Sequence, residues 1–157
     1  MLNFYDQLAQ LAYKLAYRVI VCIWFFTRPT VSGVYVAVWH HDRILIIKNS
    51  YKKKFTLPCG RLKKREEKRA AAVRELHEEV NIQVDGSQLS YAGSYIGRYK
   101  YVTDIGDFFE IRMSERPTVR VDNREVIWAR FMSIKESLQL PLNPAVRSYL
   151  SRPASLS

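Results

Sequence analysis

Cysteine and histidine are scarce in this chain of 157 residues, which contains two cysteines and three histidines. Cys22 and Cys59 are too few to form the disulfide framework of a small secreted protein. Two thiols without a cluster of histidines also make a poor zinc site. The expected setting is therefore a reducing cytoplasm.

A long uninterrupted apolar run is also missing. The most apolar stretch, residues 17–26, is too short for a membrane-spanning helix, which needs about 20 largely apolar residues. Lys14 and Arg18 interrupt any extension upstream. The stretch has no basic segment before it and no small-residue cleavage site after it, so we expect no signal peptide.

Acidic residues are outnumbered: 15 Asp and Glu stand against 25 Lys and Arg, and the formal net charge is +10. This charge favours anionic partners, namely nucleotides, nucleic acid or an acidic membrane surface. With 48% hydrophobic residues and no low-complexity tract, the chain is expected to be globular rather than disordered. Its length fits one domain with its own core.

Residues 1–28 predict a separate N-terminal amphipathic helix that ends before Pro29. Apolar residues recur there at helical spacing: Leu8, Leu11, Leu15, Val19 and Ile23. We interpret this helix as packed against the domain or against a partner in a homodimer. The alternative is an interfacial membrane anchor whose edge is formed by Trp24, Phe25 and Phe26.

The remaining chain alternates between strand and helix patterns. Residues 34–40 and 43–49 are β-branched and aromatic and are joined by a short turn, which predicts a hairpin. Residues 64–80 predict a helix, since they consist of helix formers without glycine or proline. Residues 89–102 and 107–113 predict a second hairpin, residues 124–132 a further strand, and residues 134–138 and 143–152 short helices. In the last helix, Asn143 is the expected N-cap and Pro144 the first helical residue. This order predicts a mixed α/β domain.

Three glutamates lie close together in the predicted helix 64–80. Glu75, Glu78 and Glu79 are at positions i, i+3 and i+4 and therefore share one helix face. Taken alone, such a cluster is more often a solvated acidic face than a functional site. The residues before the cluster favour a functional interpretation, because Gly60, Glu66 and Arg74 precede Glu75 by fifteen, nine and one positions.

Residues 60–82 resemble the Nudix box: Gly, five residues, Glu, seven residues, Arg-Glu-apolar-X-Glu-Glu, then X-Gly-apolar. Each defined position matches except the last glycine, where Asn81 stands. The resemblance extends over about residues 31–150, and we place a Nudix domain at 31–151, followed by a disordered tail at 152–157. It implies an α/β/α sandwich with a mixed sheet between helices, to which the N-terminal helix is added.

The resemblance also implies a metal-dependent hydrolysis in which carboxylates bind Mg²⁺ or Mn²⁺, hard cations that prefer oxygen ligands. By motif position the expected metal ligands are Glu75, Glu79, Glu78 and the Gly60 carbonyl. Arg74 and Glu66 match the pair that supports the box. The identity of the general base stays open. Glu78, Glu75 and Glu125 are candidates, and Glu110 is a further carboxylate on a later strand.

The implied reaction is attack by water on the diphosphate linkage of a nucleoside diphosphate derivative, such as an NDP-sugar, a dinucleoside polyphosphate or an NTP. Alternatives are hydrolysis at the 5′ end of an RNA, or a Nudix module that binds nucleotide or RNA without catalysis. Lys54 and Arg61 belong to a basic cluster beside the box and are expected to bind phosphate, with Tyr99 as a stacking residue. Other aromatic residues could stack a base or fill the core: Tyr95, Tyr101, Phe108 and Phe109.

Two departures from the box need an explanation. Asn81 follows the glutamate helix where the family has glycine, and asparagine is the next-best residue for a left-handed cap. Cys59 stands where many family members have a second glycine. If that position required positive φ, cysteine would cost about 1–2 kcal/mol.

Overall fold

A computed structural model describes residues 3–99 and 101–152. The chain forms, in order, α1 (Phe4–Thr27), β1 (Thr30–His40), β2 (Arg43–Asn49), β3 (Cys59–Arg61), α2 (Lys68–Val80), a short 3₁₀ turn (Gly86–Gln88), β4 (Ser90–Tyr99), β5 (Val102–Met113), β6 (Val126–Ser133), α3 (Ile134–Leu138) and α4 (Pro144–Leu150). Residues 153–157, which hold most of the expected disordered tail, lie outside the described residues.

The strands form one mixed sheet in the order β4-β5-β1-β2-β6, and β3 pairs with β1. The β1–β5 pair is parallel, whereas the other strand pairs are antiparallel. The apolar, β-branched sequence of β1 suits a central strand that is buried on both faces. The expected mixed sheet is therefore confirmed.

Helices cover both faces of this sheet. On one face, Ala72, Leu76 and Val80 of α2 pack against strand residues such as Val36 and Leu45. On the other face, α4 packs against the sheet through Val146, Tyr149 and its neighbours. The two cores confirm the α/β/α sandwich.

The first predicted hairpin is confirmed, with His41 and Asp42 connecting β1 and β2. The second hairpin differs from the prediction. Residues 103–106 were expected in the turn but belong to β5, because they pair in parallel with residues 30–33 of β1. This pairing joins distant parts of the chain, so the local sequence cannot predict it. It extends β5 towards β4.

Helix α2 begins at Lys68, four positions after the predicted start at residue 64. Arg65 adopts a left-handed conformation with φ of 63°. Glu66 folds back to accept hydrogen bonds from the Lys63 N–H at 2.8 Å and from Arg74. The side chain of Glu66 thus stabilises a turn in place of the first helical turn.

At the other end of α2, Asn81 is the C-cap in the left-handed conformation, with φ of 57° and ψ of 32°. Its N–H donates to the carbonyl of His77 at 3.1 Å, and the next N–H, of Ile82, donates to Leu76 at 3.2 Å. The expectation that asparagine replaces glycine in a left-handed cap is confirmed.

We expect Asn81→Ala to lower the free energy of unfolding by about 1 kcal/mol, because alanine is strained at positive φ. Asn81→Gly is the matched variant and should stay within a few tenths of a kcal/mol of the native protein. Urea unfolding measures both. Equal stability of the two variants would show that the conformation of residue 81 contributes nothing.

Asp107 of β5 is a buried carboxylate with three donors: Lys68 Nζ at 2.7 Å, Ser94 Oγ at 2.5 Å and Tyr91 Oη at 3.1 Å. Burial alone raises the pKa of Asp107, but these donors outweigh it, and the net pKa is lowered. The network ties α2 to β4 and β5.

We expect Asp107→Asn to reduce the free energy of unfolding by about 1–3 kcal/mol at neutral pH, because it removes the charge that these donors stabilise. A lowered pKa stabilises the fold above the unfolded value of about 3.9, and this stabilisation is lost as the pH falls through the folded value. The difference between native protein and variant should therefore shrink below about pH 4. Urea unfolding across pH tests this; a constant difference would contradict it.

Helix α1 contacts the domain through one of its faces. Arg124 Nε lies 2.9 Å from Asp6 Oδ1, Gln10 Nε2 donates to the Asn123 carbonyl at 2.7 Å, and the ring of Tyr13 stacks on Tyr51 at 5.7 Å. The expected packing against the domain is thus present, but on an unexpected face. The predicted apolar stripe points away from the domain and is exposed: Leu8, Leu11, Leu15, Val19 and Ile23.

The length expectation for this segment also needs correction. Helix α1 has 24 residues and, by length and composition alone, is long and apolar enough to cross a membrane. Lys14 and Arg18 interrupt the apolar sequence, as expected, but the helix continues through both residues. Core helices of soluble proteins and signal sequences meet the same criterion.

Candidate active site

A cavity of about 480 Å³ lies between α1, the sheet and the N-terminal approach to α2. Strand β1, the segment before β3, and α2 form its floor and sides, and α1 forms a further wall. The predicted box residues that line it are Gly60, Arg61, Glu75 and Glu78. It is also lined by Lys52, Lys54, Tyr35, Asp104, Glu125 and Asn143.

Glu79 is buried beneath this cavity and is only 6% exposed. Its carboxylate accepts a hydrogen bond from the Cys59 N–H at 2.8 Å and one from Asn49 Nδ2 at 3.2 Å. Burial raises the pKa of Glu79 to about 8, although Lys52 and the Cys59 N–H favour the charged form. A buried carboxylate with so little compensation has a strong electrostatic preference for a cation.

Glu75 lies one turn before Glu79 on the same face of α2 and is 9% exposed. Burial raises its pKa against the opposing effect of Arg74. Its carboxylate lies directly over Gly60: a Cβ built on Gly60 would come within 1.8 Å of Glu75 Oε1. Glycine at position 60 therefore lets the backbone of the box approach the carboxylate, and a side chain there would displace Glu75 from this position.

Arg74 organises the acidic residues around it. Its guanidinium binds Glu66 through two hydrogen bonds of 2.7 and 2.9 Å, and its Nη1 donates to Glu75 at 2.5 Å and to Glu78 at 3.0 Å. It also donates to the Arg61 carbonyl at 3.1 Å. The hydrogen bonds from Arg74 and from the Lys63 N–H lower the pKa of Glu66 to about 2. The placement matches the supporting roles predicted for Arg74 and Glu66.

The three candidate bases have different surroundings. Glu78 is exposed and lies 3.7 Å from Lys63. Glu125 lines the cavity and accepts a hydrogen bond from Tyr51 Oη at 2.8 Å. The negative charge of Glu125 helps to raise the pKa of both Glu75 and Glu79. The structure therefore brings Glu125 to the box from the bend that precedes β6, 50 residues after Glu75.

Glu110 belongs elsewhere. It forms an ion pair with Arg152 and accepts a hydrogen bond from Tyr149 Oη at 2.6 Å. These contacts tie β5 to α4 on the other face of the sheet. Its suggested part in catalysis is therefore wrong.

The carboxylates predicted as metal ligands are held by groups of the protein itself in this structure. Within residues 3–99 and 101–152, no three His, Cys, Asp or Glu side chains are arranged to hold a metal ion. Glu75 is engaged by Arg74 and Glu79 by the Cys59 N–H. The donor set nonetheless fits Mg²⁺ or Mn²⁺, because two buried carboxylates with raised pKa and the Gly60 backbone meet there. A buried oxygen, Asn49 Oδ1, also has no hydrogen-bond partner among the described residues.

Of the predicted phosphate-binding residues, Lys54 and Arg61 line the cavity. Lys52 joins them. Burial pulls the pKa of Lys52 down, but the acidic groups around it, among them the carboxylates of Glu79 and Glu125, pull it up further, so its net pKa is raised. Lys52 therefore keeps its charge inside the cavity, and together these cations can neutralise phosphate oxygens.

The predicted aromatic stacking residues are placed differently. Phe108 and Phe109 are buried in the two cores, and Tyr95 packs beside Phe108. Tyr101 contacts Phe25 of α1. The side chain of Tyr99 lies outside the described part of the structure. The aromatic residues that line the cavity are instead Tyr17, Trp24, Tyr35 and Tyr51.

Several cavity residues have no local signal in the sequence. Tyr35 donates to Asp104, and Asn143 Nδ2 donates to Tyr35 Oη at 3.3 Å. Asn143 also accepts from the Ala145 N–H at 2.8 Å, which confirms the predicted N-cap of α4. Asn143 was identifiable as a cap but not as a cavity residue, because its contact with Tyr35 spans 108 residues.

Cys59 is free of the predicted backbone strain, since it is not among the described residues with positive φ. Burial raises the pKa of its thiol to about 12. The protonated form is the unreactive one, so the structure argues against a redox-sensitive thiol at this position. Its N–H, rather than its sulfur, contacts the site through Glu79.

The chain resembles known proteins in family and in fold. The family model described as the NUDIX domain matches residues 28–152. A search of curated proteins finds no significant match. Among solved structures, the MutT protein from Methanosarcina mazei Go1 superposes with a TM-score of 0.67 at 19% identity, covering 80% of this chain and 94% of that chain.

Two further solved structures have named ligands or substrates. An Ap4A hydrolase from C. elegans has a TM-score of 0.59 at 17% identity and covers 76% of this chain and 92% of its own. The NUDIX domain of Shewanella oneidensis NrtR, complexed with ADP ribose, has a TM-score of 0.66 at 15% identity. The match covers 77% of this chain and 84% of that chain. The match to the family model spans most of the chain, and the chain therefore belongs to the Nudix family of hydrolases acting on phosphoric anhydrides.

Proposed function

We propose that this protein is a divalent-metal-dependent pyrophosphohydrolase that cleaves the diphosphate linkage of a nucleoside diphosphate derivative. The observation that carries the proposal is the pairing of Glu75 and Glu79, two buried carboxylates with raised pKa, with a cavity that contains cationic side chains. Carboxylates alone would repel a diphosphate. A bound divalent cation reverses that repulsion and lowers the pKa of a coordinated water.

The residues of the chain then have distinct tasks. Glu75, Glu79, Glu78 and the Gly60 carbonyl would hold Mg²⁺ or Mn²⁺. Lys52, Lys54 and Arg61 would bind the phosphate oxygens and orient the diphosphate. Glu125, which lines the cavity and is oriented by Tyr51, is well placed to accept the proton of the attacking water.

The aromatic part of the cavity supports a nucleoside-type substrate. Tyr17 and Trp24 of α1 and Tyr51 of the domain line the same space as the phosphate-binding cations. Flat aromatic rings of this kind can stack a base. Similar folds occur in an Ap4A hydrolase, in an ADP ribose complex and in a dihydroneopterin triphosphate pyrophosphohydrolase, whose ligands combine a heterocycle with phosphates.

The test is a substrate panel with the purified full chain. NDP-sugars, ADP-ribose, dinucleoside polyphosphates, NTPs and triphosphorylated RNA are incubated with Mg²⁺ or Mn²⁺, and products are separated chromatographically. We expect metal-dependent cleavage at a diphosphate linkage of one nucleotide class, abolished by EDTA. Binding of a nucleotide without turnover would instead identify a non-catalytic Nudix module, and cleavage of RNA alone would identify an RNA 5′-pyrophosphohydrolase.

A further inference from the structure

Helix α1 has two apolar faces, and only one of them is used by the domain. Side chains at spacings of three and four residues run along the opposite face: Phe4, Leu8, Leu11, Leu15, Val19, Cys22 and Phe26. We call these seven residues the outer stripe. At 100° per residue they fall within a narrow sector of the helix circumference. All seven are exposed, and the six other than Cys22 range from 51% at Leu15 to 81% at Phe26.

An exposed stripe of this length is unusual for a soluble monomer, whose apolar surface is normally scattered. A row of large apolar side chains spanning six helical turns marks a surface that is covered by something else. The inner face of the helix is already accounted for by its contacts with the domain, from Asp6 to Trp24.

The charges that border the outer stripe identify the partner. Lys14 and Arg18 lie one turn apart along one border and are exposed. The one acidic residue of α1, Asp6, lies on the inner face and is paired with Arg124. The charge that α1 presents beside its apolar face is therefore positive, in a chain with a net charge of +10.

We propose that the outer stripe of α1 docks on an anionic lipid bilayer, with the helix lying in the plane of the membrane surface. Apolar side chains would enter the acyl boundary, while Lys14 and Arg18 reach the acidic headgroups at its edge. In a helix pair formed by two copies of this chain, Lys14 and Arg18 would find no acidic partner from α1 at the border of the seam, because Asp6 lies on the inner face.

The inner-face contacts also fix the orientation of the helix. Asp6 pairs with Arg124, and Gln10 donates to the Asn123 carbonyl. Near the other end, Trp24 lies against the Arg61 guanidinium at 5.6 Å. These contacts span 18 residues, or about 27 Å of helix. A membrane-spanning α1 would have to give up all of them, whereas an in-plane helix keeps them.

This arrangement places the cavity next to the membrane surface, because Tyr17 and Trp24 on the inner face line the cavity. The docking itself does not depend on the proposed hydrolysis. It is measured by lipid binding alone, so that failure of one proposal leaves the other standing.

The experiment uses the full chain and flotation with vesicles of phosphatidylcholine, alone or mixed with phosphatidylglycerol. We expect binding to the mixed vesicles that is weaker by about tenfold or more in Leu11→Asn/Leu15→Asn. The matched control, Ile96→Asn/Ile127→Asn, changes exposed isoleucines on β4 and β6 and should bind like the native chain. Lys14→Gln/Arg18→Gln should lose the preference for phosphatidylglycerol. Equal flotation of the native chain and the stripe variant would overturn the proposal.

A fluorescent label at Cys22 tests the orientation, in a Cys59→Ser background that leaves one thiol. We expect its emission to shift to the blue on mixed vesicles and to be quenched by brominated lipid, with Trp24 emission unaffected. Quenching of tryptophan emission that Trp24→Phe abolishes would show that α1 leaves the domain, which overturns the in-plane arrangement. Sedimentation without lipid should give a monomer. A dimer that Leu11→Asn/Leu15→Asn dissociates would assign the stripe to a second copy and contradict the proposal.

Discussion

Glu79→Gln is expected to lower kcat by about 10²–10³-fold while the fold stays intact. Glutamine has the shape of glutamate and can still accept the hydrogen bond from the Cys59 N–H. It cannot supply the negative charge that, under the proposed function, would hold a divalent cation at the buried position. Loss of a catalytic metal ligand removes several kcal/mol of transition-state stabilisation, and each 1.36 kcal/mol is about tenfold in rate. The measurement is metal-dependent product release on the substrate identified by the panel.

Glu78→Gln is the matched comparison, because Glu78 is a further proposed carboxylate ligand on the same helix but is exposed. We expect its effect on kcat to be about tenfold smaller than that of Glu79→Gln, since its exposed charge is partly screened by solvent. A second readout is thermal unfolding with and without Mg²⁺. The native protein should be stabilised by the metal and Glu79→Gln should not. Native turnover in Glu79→Gln would show that the metal is held by other residues.

The local sequence was sufficient for the parts of the molecule whose geometry is short-range. Glu75, Glu78 and Glu79 share a helix face because of spacing alone, and Asn81 was identifiable as a left-handed cap from its residue type. The strand patterns of β1 and β2 predicted their hairpin. These predictions succeeded because each depends on residues less than two helical turns or one hairpin apart.

Long-range contacts account for most of what the sequence did not show. The cavity acquires Tyr35, Asp104 and Asn143 from three separate elements. The predicted start of α2 is wrong because helix propensity favours a helical Glu66. In the structure, the carboxylate of Glu66 is instead bound by Arg74, which lies two turns further along. Propensity measures the isolated helix and does not include such a competing ion pair.

The orientation of α1 is the clearest example of a feature that depends on long-range contacts. Periodicity found its apolar stripe but could not say whether that stripe faced the domain. The decision depends on contacts such as Tyr13 with Tyr51 and Asp6 with Arg124, which are made by the other face. Hydrophobic periodicity in the sequence detects an apolar face of a helix but does not show which face packs against the domain. Only the folded structure shows that the other face makes this contact.

Arg74→Met should reduce both stability and turnover, because Arg74 is the shared partner of Glu66, Glu75 and Glu78. Methionine preserves the length and the apolar contacts of the side chain but leaves Glu75 buried without its counter-ion. Removing one partner of a largely buried ion pair leaves the other charge desolvated and uncompensated. We therefore expect a loss of about 2–3 kcal/mol in the free energy of unfolding. Urea unfolding at neutral pH measures it.

Arg74→Lys separates charge from geometry. Lysine supplies a single ammonium and cannot form the two parallel hydrogen bonds to Glu66 while also reaching Glu75 and Glu78. We expect about half of the stability to return, because one ion pair is restored, whereas kcat stays about tenfold below that of the native enzyme with KM nearly unchanged. Recovery of native kcat in Arg74→Lys would mean that Arg74 contributes only its charge. A stability loss without any change in kcat would mean that the orientation of Glu75 does not limit the reaction.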